Sequence, residues 1–102
     1  MKLNFIETKE ILNLELEIGY ELEVNERPIR SGLPRFYVQF KCGESMEGGC
    51  LVSYSGDGNT VDDALIDYCK QISCRRFAFG AYTRERKEIQ FPNLVHTKLV
   101  GF

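Results

Sequence analysis

Residues 60–82, TVDDALIDYCKQISCRRFAFGAY, decide how this chain folds. Thr60 suits a helix N-cap, where a hydroxyl accepts an orphan N–H of the first turn, and Asp63 completes a capping-box-like pair. Asp62 and Asp63 favour the positive end of the helix dipole. Val61, Ala64, Leu65, Tyr68 and Ile72 follow the i, i+3, i+4, i+7, i+11 pattern of one apolar face, with Cys69 at its margin. Asp62, Asp63, Asp67, Lys70 and Gln71 fall on the wet side. The spacing predicts an amphipathic α-helix over about residues 61–73. The aromatic run RRFAFGAY at 75–82 then reads as a strand.

Downstream, Thr83–Arg86 is a polar turn and KEIQF (87–91) a short partner strand closed by Pro92. Residues 93–102 are apolar but aperiodic, and read as a loosely packed tail. Upstream, GDGN (56–59) reads as a turn and CLVSYS (50–55) as a strand. RFYVQFK (35–41) alternates, with Phe36, Val38 and Phe40 on one face. These two strands, joined across residues 42–49, read as an antiparallel hairpin with a long tip. NERPIRSGLP (25–34) is a connection broken by two prolines and a glycine. In LNLELEIGYELEV (12–24), apolar residues hold every even position, and Glu15, Glu17, Glu21 and Glu23 stand on the odd ones. Period two predicts a strand with one wet face, bent or broken near Gly19. The expected fold is α+β: an antiparallel sheet of about five strands with one helix packed on one face.

A length of 102 residues fits a single domain, 1–102. The net charge of −2, from 13 basic and 15 acidic side chains, excludes a strongly basic nucleic-acid coat. It is a cancellation, because residues 1–26 hold seven Glu against two Lys. Basic side chains gather instead at 27–41 (Arg27, Arg30, Arg35, Lys41) and at 75–87. No apolar run approaches the roughly 20 residues that span a bilayer. The start, MKLNFIETKE, has no signal-peptide core, so a cytoplasmic location and no membrane are expected. In a reducing compartment Cys42, Cys50, Cys69 and Cys74 are free thiols. Their C-x7-C and C-x4-C spacings lack a zinc knuckle, and His96, the single histidine, lies in the tail. No metal, cofactor or catalytic set is therefore expected, and the chain reads as a non-enzyme.

Two stretches suggest binding. The row Glu15, Glu17, Glu21 and Glu23 forms either a solvated sheet face or a docking surface for a basic protein partner. The alternative is Arg75, Arg76, Phe77, Phe79, Tyr82, Arg84, Arg86 and Lys87. RRFAFGAY resembles the first ribonucleoprotein signature of RNA-recognition motifs, whose alternate aromatics stack on bases. It departs from that signature at Arg76 and Gly80, which stand for the glycine and the valine. That resemblance implies a nucleic-acid-binding module. SGDGNT (55–60) is a capped turn: it lacks the phosphate-loop lysine, and no downstream Glu completes a calcium loop.

GNTVDDALIDYCKQISCRRFAFGAY (58–82), with RKEIQFPNL, PRFYVQFK and ETKE, resembles a group of small uncharacterised proteins of Gram-positive phages and prophages. Members often carry a glycine between the helix and the basic strand, where this chain has Ser73 and Cys74. The T-x-x-D-A-L helix start at Thr60–Leu65 is also similar to antitoxins of the HicB type, whose domain binds a toxin. The resemblances imply an accessory factor that binds a host or phage macromolecule, for example an inhibitor of a defence system. An edge strand and an apolar tail leave a homodimer open.

Overall fold

Thr60 accepts a hydrogen bond from the Asp63 N–H at 3.1 Å and starts the helix that the sequence predicts. The structure, a computed structural model, describes residues 7–97. In chain order its elements are β1 (Thr8–Glu10), α1 (Ile11–Ile18), β2 (Leu22–Glu26), β3 (Phe36–Phe40), β4 (Gly43–Glu47) and β5 (Cys50–Val52). Then follow β6 (Gly56–Gly58), α2 (Val61–Ile72), β7 (Arg76–Phe79), β8 (Lys87–Gln90) and β9 (Asn93–Val95). A single 3-10 turn, Ile29–Ser31, interrupts the connection from β2 to β3.

The fold is mixed α and β with antiparallel sheets, but the strands divide among three sheets rather than one sheet of five. One sheet has the order β2-β3-β6, and the second β5-β4-β7-β8. The third is a parallel pair, β1 with β9. The split occurs at Cys42, whose φ of 60° turns the chain between β3 and β4. The expected hairpin between residues 35–41 and 50–55 does not form. β4 takes up most of its supposed tip and pairs with β5 across Gly48 and Gly49, while β3 pairs with β2 and β6.

The stretch 12–24 is the main correction. Its first half is a helix, α1, and only Leu22–Glu26 is a strand. Leucine and glutamate are strong helix formers, and the β-branched residues of 11–18 stand only at its two ends, Ile11 and Ile18. Ile11 and Leu14 are buried and Ile18 is half-buried, which is a helical i, i+3, i+7 face. Gly19 is a C-cap rather than a strand bend: at φ 76° its N–H donates to the Glu15 carbonyl at 3.1 Å.

Two other short segments differ from expectation for identifiable reasons. GDG at 56–58 is a strand, because glycines let α2 pack directly on its backbone. A Cβ on Gly56 would lie 2.2 Å from the Ala64 carbonyl oxygen. Asn93–Val95, expected in a loose tail, is strand β9, and Leu94 enters the core at 4% exposure. Residues 98–102 of that tail lie outside the described residues.

The core joins both larger sheets and both helices. Phe40, Tyr68, Phe77, Phe79 and Phe91 form its aromatic centre with Ile11, Val38 and Ile72 around them. Phe77 stacks on Phe91 at 4.6 Å between centroids, and Phe79 meets the edge of Phe40 at 5.6 Å. Tyr68 adds a specific bond, accepting the Phe40 N–H at 3.0 Å. That N–H lies beyond the end of β6, whose pairing with β3 stops at Val38.

Candidate functional site

α2 covers β3 and β6 but leaves the inner face of edge strand β2 partly open. Leu22 and Val24 stand opposite Phe40 and Val38, so they share the core-facing side of the sheet. α1 borders this opening with Leu12 and Asn13, and the first turn of α2 borders it with Val61 and Leu65. The result is a groove of about 630 Å³ with an apolar floor. Leu12 is 41% exposed, Val24 48% and Val61 36%, so three large apolar side chains meet solvent in one place. Contiguous exposure of this kind marks interaction sites, whereas isolated apolar residues do not.

The rim is acidic. Glu10, Glu15 and Asp62 line it, with His96 and Thr97 closing one side. His96 sits between two carboxylates: Nδ1 is 2.8 Å from Glu10 Oε1, and Nε2 is 2.7 Å from Asp62 Oδ1. Both ring nitrogens must carry protons to donate to both oxygens, which is the imidazolium form. Burial of the ring opposes its charge, but the bonds to Asp62 and Glu10 outweigh burial and hold its pKa above 6.5. Burial likewise opposes the Glu10 carboxylate. The bond from His96 and the Thr97 N–H at 2.7 Å more than offset it and lower that pKa. With both nitrogens tied, the ring clamps β1, β9 and α2 together. The carboxylates lie on opposite sides of the ring, and no metal-ligating cluster occurs among the described residues.

The four predicted acidic residues do not share one face. Glu15 and Glu17 lie on α1, Glu21 on the turn after it, and Glu23 on β2 opposite Gln39. Glu17 is paired with Lys9. Glu15 alone of the four lines the groove, and its carboxylate accepts the Leu22 N–H at 2.6 Å. Sequence reasoning missed Glu10, Asp62 and His96. Only the pairing of β1 with β9 brings residues 86 positions apart into contact, and no local pattern announces it.

The basic stretch 75–87 is largely occupied. Arg75 pairs with Glu47 and lies over the Tyr54 ring at 4.8 Å. Arg76 and Arg86 share Glu88, at 3.4 and 3.3 Å. Arg84, Lys87 and Tyr82 are exposed, and no ion pair holds Arg84 or Lys87 among the described residues. Phe77 and Phe79 are fully buried, so neither ring presents a face to a base. Stacking returns about 1–3 kcal/mol per base. Exposing a buried Phe costs roughly 1.5–3 kcal/mol before the cavity left behind is counted. Here the alternation that suggested base stacking is core packing.

Cys42, Cys50 and Cys74 are exposed and Cys69 is buried, all as free thiols. No described helix is long and apolar enough to cross a membrane. No family model, curated protein or solved structure matches the chain.

Proposed function

We propose that this chain is a non-enzymatic binding protein whose groove between α1, β2 and α2 receives an apolar segment flanked by lysine or arginine on a partner protein. The observation that carries this reading is the joint exposure of Leu12, Val24 and Val61 under a rim of Glu10, Glu15 and Asp62. Apolar area supplies affinity, and the acidic rim selects a basic partner and speeds its encounter. Between residues 7 and 26 the chain carries seven Glu and one Lys, so a second copy would bring like charge to the same surface. The resemblance to phage and prophage proteins supports an accessory role, such as occupying a surface of a host defence factor.

The test is calorimetric titration with two short peptides, one of leucine and lysine and one of leucine and glutamate in the same order. The leucine–lysine peptide is expected to bind, more weakly as salt screens the rim. The double change Leu12→Asp and Val24→Asp should abolish that binding while the circular dichroism spectrum is kept. Equal binding of the glutamate peptide, or binding untouched by the double change, overturns the reading.

A further inference from the structure

The backbone of β2 indicates the form in which a partner segment enters. Among the described residues β2 is an edge strand, bonded to β3 on one side only. The Lys41 N–H donates to the Glu21 carbonyl at 2.9 Å, and the Arg27 N–H to the Arg35 carbonyl at 2.7 Å. Both belong to the same antiparallel register as Leu22↔Phe40. In such a ladder the residues that exchange bonds alternate, so the odd residues of β2 bond inward to β3. The even residues, Leu22, Val24 and Glu26, point their N–H and C=O groups away from the sheet.

The Leu22 N–H confirms this direction, because its partner is the Glu15 carboxylate reaching over from α1 at 2.6 Å. Beyond it, the outward groups of Val24 and Glu26 bond no other described residue. Charge is the protection this part of the edge has, from Glu23 and Glu26, and it admits a basic strand while repelling an acidic one. Val24 at its middle is apolar and 48% exposed, and β2 contains no proline or lysine. The floor beside the edge is built from Leu22 and Val24, two residues apart, a spacing that an incoming strand matches and a helix does not.

We propose that the partner segment binds as an added β-strand on the free edge of β2, with alternate apolar side chains in the groove, the lysines or arginines between them on the outer face of the sheet beside Glu23, and basic residues at its ends against Glu10, Glu15 and Asp62. This rests on the binding reading above and specifies its geometry. Main-chain bonds to Val24 and Glu26 would supply affinity independent of sequence. The groove would supply the preference for alternate apolar residues, and Glu23 on the outer face with the acidic rim would supply the preference for basic residues between and beside them.

Two peptides of identical composition separate this proposal from the reading beneath it. Leu-Lys-Leu-Lys-Leu-Lys-Leu presents one apolar face as a strand, and Leu-Lys-Lys-Leu-Leu-Lys-Leu presents one only as a helix. The first is expected to bind more tightly and to slow hydrogen exchange at the Val24 and Glu26 amides. Methylating alternate backbone nitrogens of that peptide, in each of the two registers, should weaken it about tenfold or more in one register only. Val24→Pro removes an outward donor without touching the ladder to β3, and should reduce binding well beyond Val24→Ala. Tighter binding of the helical-period peptide, with β2 amide exchange unchanged, overturns strand addition and keeps the groove as a binding site. Failure of both peptides overturns the groove reading and the strand with it. A concentration-dependent dimer in light scattering that protects the same amides would assign the edge to a second copy and overturn the proposal.

Discussion

His96 reaches from the end of β9 to the first turn of α2 and places its Nε2 2.7 Å from Asp62 Oδ1, while Glu10 of β1 holds the other nitrogen at 2.8 Å. One protonated ring therefore joins α2 to β1 and β9, which are themselves paired at Glu10 and Val95. A neutral ring has one N–H and can donate to only one carboxylate.

Stability should follow the charge of this clamp. His96 is raised above 6.5, so its contribution is full below pH 6.5 and is lost as pH rises through the folded-state value. Glu10 is lowered from 4.5, so its contribution is present above pH 4.5 and is lost as pH falls through its own folded-state value. Urea unfolding between pH 4 and 9 should show these two groups contributing most between about pH 4.5 and 6.5. Cys69, the other titratable group beside Glu10, stays neutral across this range. His96→Gln should flatten the alkaline decline. A wild-type decline that the variant reproduces unchanged would remove His96 as its cause.

Tyr68→Phe tests the centre of the core. The change keeps the ring, which is fully buried, and deletes the oxygen that accepts the Phe40 N–H at 3.0 Å. β6 does not extend far enough to take that N–H instead. A buried donor without a partner costs about 1–3 kcal/mol, and the variant should lose that much in denaturant unfolding with its m-value unchanged. A loss below about 0.5 kcal/mol would mean that another acceptor replaces the hydroxyl.

The readable parts of this fold are those in which local chemistry and tertiary environment agree. Thr60, the Val61–Ile72 periodicity and the strands at Arg76–Phe79 and Lys87–Gln90 were all legible, because cap, apolar face and buried strand each leave a local pattern. Residues 12–18 misled because alternating leucine and glutamate satisfy a strand by period and a helix by propensity. Gly19 at φ 76° marks the outcome, a left-handed C-cap that could have been weighed from the sequence. The groove was less legible. Glu15 belongs to a visible acidic row, but its partner is a backbone N–H across a turn. Glu10, Asp62 and His96 converge only through the parallel pairing of β1 with β9, the first and last of the described strands.

Gly56→Ala probes the closeness of α2 to β6. The added methyl would stand 2.2 Å from the Ala64 carbonyl oxygen and 2.4 Å from Tyr68 Cβ, both on the packed face of the helix. Neither atom is the tip of a flexible side chain, so helix and strand must separate. Overpacking of this kind costs typically 1–3 kcal/mol, and backbone contacts place this site at the upper end. Thermal melting should fall by several degrees or more for a domain of this size. A melting temperature equal to wild type would show that α2 does not rest on β6 as described.

The four thiols should divide by environment. Cys42, Cys50 and Cys74 are exposed, whereas Cys69 is 2% exposed on the buried face of α2. Burial, reinforced by the nearby Glu10 charge, pushes the Cys69 thiol up to about 12, so it has almost no thiolate at neutral pH. Native protein treated with a chromogenic disulfide reagent at pH 8 should therefore release three equivalents quickly. The fourth should appear only in denaturant, and Cys69→Ala should remove that slow equivalent alone. Cys74 provides an internal check, because it holds a φ of 61° that favours glycine. Cys74→Gly should leave stability equal or higher while removing one fast equivalent. Rapid reaction of all four thiols in the native protein would place Cys69, and the face of α2 that carries it, outside the core.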